Sequence, residues 1–135
     1  MKSFGKVKNG DDKVLKFVSA MTDKTYQKRI VWELIDAPEA LTQATSNHIG
    51  LVYTAHVNDK KFAIYEEKFQ AYSTDFDQLY WSNTYVLCIV NQNCLPIHVV
   101  CTGTSMLYDL FNAVTAQVSG VEDIIDSLID DLDDL

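Results

Sequence analysis

Apolar positions recur at the 3.6-residue period over residues 11–24. Val14, Leu15, Phe17, Val18 and Met21 gather on one side, while Lys13, Lys16, Asp23 and Lys24 take the others. This predicts a short amphipathic helix, with Gly10-Asp11 as its start and a carboxylate at the N-cap. The pattern then changes. Arg29 to Asp36 is rich in β-branched and aromatic residues and stops at Ala37-Pro38, which predicts a strand, because proline cannot continue a ladder. Residues 39–49 read as a polar loop or a single helical turn.

The next two strands, Gly50 to Val57 and Lys60 to Glu67, flank Asn58-Asp59, a two-residue turn that tolerates positive φ at both positions. That turn sets Val57 opposite Lys60, Ala55 opposite Phe62, Tyr53 opposite Ile64 and Leu51 opposite Glu66. Those residues share an apolar face expected to be buried. Thr54, His56, Lys61, Tyr65 and Glu67 occupy the face expected to be wetter. After a turn-rich stretch over residues 73–84 come Tyr85 to Val90, apolar on both faces, and Ile97 to Thr102. A turn centred on Gln92-Asn93 puts Cys88 opposite Ile97 and Cys101 opposite Thr84. Pro96 places the last strand at a sheet edge or after a bulge.

From Ser105 onward the period is helical again. Leu107, Phe111, Val114, Val118, Val121, Ile125, Leu128 and Leu132 form an unbroken heptad seam. Ser119-Gly-Val-Glu122 interrupts it with the form of a capping box, so two helical segments are expected. The fold class is α+β: a single antiparallel sheet of about five strands, with an N-terminal helix and a C-terminal helical pair packed on one face. The length fits one domain over 1–135, with a basic N-terminal arm at 1–9 and an acidic amphipathic segment at 120–135.

Charge sharpens this picture. The net charge is −8, yet residues 1–30 hold eight bases against three acids, and residues 122–135 hold seven acids and no base. A mostly acidic surface makes duplex nucleic acid an unlikely partner. The acidic end also admits a nucleic-acid mimic. The longest apolar run, Tyr85 to Val90, is far short of a membrane span, and no apolar segment follows the basic N-terminus. A cytoplasmic protein with no membrane partner is expected.

Candidate chemistry is sparse. Cys88, Cys94 and Cys101 are odd in number, form no C-x-x-C pair and are out of register, so free thiols are expected. A nucleophile pair of His98 with Cys88 or Cys101 is conceivable, but strand alternation turns His98 away from Cys101. His48 and His56 are the other groups that titrate near neutrality. Asp75-Phe-Asp77 has the form of a divalent-cation ligand pair, but no phosphate cradle accompanies it. No motif for nucleotide, metal or acyl chemistry is present, so no cofactor is expected and the chain leans away from being an enzyme.

Two stretches remain as candidate partner surfaces. Tyr72, Phe76, Tyr80 and Trp81, with Tyr85, are dense enough for a partner hot spot or a ligand cleft. Asp123, Asp126, Asp130 and Asp131 line the polar side of a helix whose other side is aliphatic. That helix is expected to pack on its own sheet, the alternatives being a second copy, giving a homodimer, or a partner's groove. The whole pattern resembles a loose group of small uncharacterised bacterial and phage proteins. The shared features are an N-terminal helix, a Trp-containing first strand at Arg29 to Asp36, a meander, and a closing helix pair like Leu107 to Phe111 and Val121 to Leu128. The resemblance implies an antiparallel sheet flanked by helices and no activity. The leading expectation is a non-enzymatic interaction protein (adaptor, immunity-type or inhibitor), with a ligand-binding protein or enzyme using the Tyr72–Tyr85 region as the alternative.

Overall fold

The structure, a computed structural model, describes residues 2–135, with side chains from Asp12 onward. Five strands pair strictly with their neighbours in the chain: β1 (Glu33–Ile35), β2 (His48–Val57), β3 (Lys60–Ser73), β4 (Gln78–Val90) and β5 (Pro96–Thr102). All pairs are antiparallel, so the sheet is a meander. Helix α1 (Lys2–Tyr26) precedes it, the helical turn α2 (Glu39–Thr42) follows β1, and α3 (Ser105–Ser119) and α4 (Val121–Asp133) close the order. The class is α+β, as the hydrophobic pattern requires. Helix α1 is continuous through Gly10-Asp11, so that dipeptide does not start it. Met1 and the side chains of the expected basic arm at 1–9 lie outside the described residues.

The hairpin register follows its turn. Asn58 and Asp59 both adopt positive φ, and Val57, Ala55 and Tyr53 pair with Lys60, Phe62 and Ile64. The fourth expected pair fails, because a bulge between Ile49 and Val52 turns Leu51 out to solvent. Helices α1 and α3 cover one face of the sheet. Val18, Met21, Leu107, Leu110 and Val114 pack there against Tyr53, Phe62, Ile64 and Leu87. The Tyr85 ring lies 4.4 Å from Phe111 between centroids.

The opposite face is drier than expected. Tyr65 and Thr54 are buried there, with Val52, Ala63, Val86, Cys88 and Val90, under Leu41 of α2 and Cys94 of the β4–β5 loop. The short helical turn at 39–42 makes this second core possible; His56 alone of the expected wet positions is fully exposed. The β4–β5 register also differs from expectation. Cys88 pairs with Val99 and Leu87 with Cys101, because Val100 is passed over. Cys88 and Cys101 therefore lie in different cores, and all three thiols are free.

The expected strand at Arg29 to Asp36 shrinks to three residues. Ile30 and Trp32 are buried, but their backbone groups are taken by a side chain rather than a ladder. The Gln117 amide donates to Thr25 O at 3.0 Å and Ile30 O at 2.7 Å, and its carbonyl accepts from Trp32 N at 2.7 Å. The Trp32 indole donates to the Thr25 hydroxyl, which donates on to Met21 O. Helix α3 starts on Thr104, whose hydroxyl accepts from Leu107 N, and ends at Gly120 in the left-handed region. The break in the heptad seam is real, but glycine makes it. Ser119 bonds back to Ala116 O instead of capping α4.

Replacing Gln117 by Ala leaves Trp32 N and Ile30 O without their partner at a part-buried site, while Thr25 O keeps Lys28 N. The expected loss is about 2–3 kcal/mol, read as a fall in the urea midpoint with unchanged slope. Gln117→Glu should lose at least as much, because it sets a carboxylate against two carbonyl oxygens. Wild-type stability in both variants would contradict this role.

Candidate functional site

Beyond Lys68, strand β3 loses its β2 neighbour, and only the β3–β4 ribbon continues. Its rungs are Phe69 with Ser82, Gln70 with Trp81, Ala71 with Tyr80, Tyr72 with Leu79 and Ser73 with Gln78. The stretch expected to be turn-rich is thus mostly strand, turned at residues 74–77 with Asp77 at positive φ. The aromatics that suggested a cleft do not line one. Tyr72 and Trp81 lie on one face, Tyr80 on the other and Phe76 at the tip. All four are exposed, Phe76 at 76% and Trp81 at 66%. Tyr85 instead joins the core edge beside Tyr108 and Phe111. The Tyr72 hydroxyl donates to Asp77, so Asp77 serves the turn.

At the root of this arm, Trp81, His48, Lys68, Ser82 and Asn83 border an open cleft of about 530 Å3. Its polarity is largely spoken for: Lys68 Nζ lies 3.9 Å from Glu66, and the Asn83 amide donates to the same carboxylate at 2.8 Å.

Helix α4 is the second candidate surface, and here the structure overturns the expected packing on the sheet. No residue of α4 is buried, and its principal contacts are with α3. Val121, Ile124, Ile125, Leu128, Ile129 and Leu132 all stay exposed, the last at 65%. The left-handed Gly120 redirects the chain as α3 ends beside Ile30 and Trp32, so the heptad seam leaves the core at that point. Asp123, Asp126, Asp130 and Asp131 are exposed along the other side. Asp123, in the first turn, favours the helix dipole, whereas the later acids oppose it. The aromatic arm and α4 are separate surfaces on separate elements.

The pattern of the chain conceals a third patch. Lys28, in the left-handed region, terminates α1 and reverses the chain, with Arg29 N bonded to Lys24 O. Ile30 and Trp32 then turn inward and Val31 between them turns outward, 70% exposed; Tyr26, at the end of α1, is exposed too. Lys24, Lys28 and Arg29 in the same stretch of chain are exposed, as are Asp23 and Glu33. Val31 sits in a run that reads as a covered strand, which hides its exposure.

The thiol–imidazole pair is not assembled. The Val100 bulge brings Cys101 to the face that carries His98, but Cys101 is buried with its Sγ 3.5 Å from Thr104 Oγ1, while His98 is exposed. Burial pushes the Cys88 thiol up to about 11, and the Tyr65 phenol beside it offsets this only in part. Burial likewise raises Tyr65, Tyr53 and Tyr85. A thiol held neutral in a dry core is a poor nucleophile. No protein-family model, curated protein or solved structure matches this chain.

The raised thiol sets a pH dependence. Its unfolded value is near 9.0 and its folded value about 11, so the unfolded chain ionises first. This contribution to stability is complete below about 9 and is lost as pH rises through about 11. The three tyrosines act in the same sense. Urea midpoints measured from pH 8 to 11 should hold level and then fall, with part of the fall removed in Cys88→Ala. A midpoint that rises over this interval would contradict the burial of these groups.

Proposed function

We propose that this protein is a small cytosolic, non-enzymatic interaction protein, an adaptor or inhibitor that holds a protein partner on the apolar face of α4. One observation carries the reading: α4 keeps a clean aliphatic face and buries none of it. A helix of 13 residues is marginal alone in water, and this one gains little from its own domain. A partner that covers the face supplies the missing burial, at roughly 1.5–3 kcal/mol for each aliphatic side chain fully covered. The flanking acids, Asp123, Asp126, Asp130 and Asp131 among them, favour a basic rim and repel an acidic one. The aromatic arm, with Tyr72, Phe76, Tyr80 and Trp81 exposed, is a second contact surface of the kind that anchors interfaces. The open cleft at Trp81, His48 and Lys68 favours a second reading, a small-ligand binder, which predicts a thermal shift with a metabolite that Trp81→Ala abolishes.

Deleting residues 120–135 tests the main reading. The remnant should unfold cooperatively within about 1 kcal/mol of the full chain, because α4 adds nothing to either core, and it should lose the association that the full chain shows. A remnant that unfolds or aggregates returns α4 to the core of its own domain. A folded remnant with unchanged association removes α4 as the docking element.

A further inference from the structure

We infer that α4 docks on a second copy of this chain, each α4 of a two-fold dimer lying across the Tyr26–Val31 corner of the other copy; this rests on the reading of α4 as a docking element. Helix α4 has a single apolar face. At 100° per residue, its apolar positions from Val121 to Leu132, with Leu135 beyond them, span about 140°. Acids stand on both borders of that face: Glu122, Asp126 and Asp133 on one, Asp131 on the other. Two α4 helices laid face to face would set acid against acid along both borders, and no base in the segment relieves it. The acceptor must therefore offer an apolar floor between basic residues.

Among the described residues, the Tyr26–Val31 corner meets that requirement best. Tyr26 and Val31 offer exposed apolar side chains on the two sides of the turn after α1, and Lys24, Lys28 and Arg29 in or beside that turn offer exposed bases. At the other patches the bases are absent, engaged or matched by an acid. Ile97 at the β5 edge shares an open cleft with Lys60 and Lys61, but Asp59 stands in the same cleft and Lys61 Nζ donates to Gln92 O. Leu95 and Val99 have no lysine or arginine in their own strand or loop. The aromatic arm carries Asp75 and Asp77, and Lys68 at its root is matched by Glu66. The corner carries charge that α4 lacks: Lys24, Lys28 and Arg29 outnumber Asp23 and Glu33 over residues 23–33, whereas α4 with the two residues after it holds seven of the nineteen acids and no base.

Position supplies the last element. Tyr26 and Lys28 border the same shallow cleft as Gly120, Glu122 and Asp123, so the corner adjoins the root of α4. Donor and acceptor thus lie side by side on one copy, as an isologous contact requires. Tyr26 and Val31 nevertheless stay uncovered by their own α4. A reciprocal exchange buries both corners and both helices at once and closes the assembly at two copies.

The test is sedimentation of the full chain from about 1 to 100 μM, where mass action shifts a reversible dimer. Wild type should pass from monomer to dimer across this range. Lys28→Glu with Arg29→Glu should weaken the dimer by about tenfold or more, as should Asp126→Lys with Asp131→Lys. Both pairs of reversals in one chain should restore it. All four positions are exposed, and circular dichroism of each variant confirms the fold. A wild type that stays monomeric while the 120–135 deletion remains folded overturns the second-copy inference alone. A deletion that unfolds overturns the reading of α4 beneath it. A dimer indifferent to the Lys28 and Arg29 reversal, or one that the combined reversals do not restore, overturns this seat for α4.

Discussion

The carboxamide of Gln117 joins three parts of the chain that no ladder or helix connects. Its amide donates to Thr25 O near the end of α1 and to Ile30 O in the turn that follows, and its oxygen accepts from Trp32 N. Much of the helical layer's geometry follows. With Trp32 N engaged, the β1 ladder begins only at Glu33. With Ile30 and Trp32 drawn inward, Val31 faces out. With the end of α3 held beside that turn, the chain after Gly120 starts at the margin of the helical layer. A part-buried side-chain amide is tolerated because both its nitrogen and its oxygen are used, and among the described residues no buried side-chain polar atom lacks a partner.

Two cores of different construction sit on the faces of one sheet. The larger is sheet against two helices, with the Thr25–Trp32 hydrogen bond at its edge. The smaller is capped by one helical turn and one loop, with Leu41 and Cys94 as its lids. Neither reaches the β3–β4 arm or α4. The apolar residues in those two elements are therefore surplus to the fold, which is the physical ground for reading them as contact surfaces.

Much of the architecture was legible because it rests on periodicity and turn chemistry. The Asn58-Asp59 hairpin, both helices of the larger core and the break near Ser119 all follow from local rules. What escaped was non-local. Nothing near Gln117 in the chain marks it as the partner of residues more than 80 positions away. Bulges at Leu51 and Val100 each slip the alternation by one residue, moving Leu51 out of the core and setting Cys101 on the face of His98. The candidate residues in the arm and α4 were recognisable by composition. Their exposure was not, since a seam that continues through Gly120 looks the same whether or not the helix bends away.

The central claim is that α4 stands outside the cooperative unit clamped by Gln117 and awaits a partner. Native-state hydrogen exchange measures this directly, because it reports opening segment by segment. At low protein concentration, amides of Val121–Asp133 should exchange far faster than those of β2–β4, at a rate indifferent to changes in global stability. Their protection should grow as concentration rises and the face becomes covered. Exchange of α4 at the global unfolding free energy, at every concentration, would contradict the account.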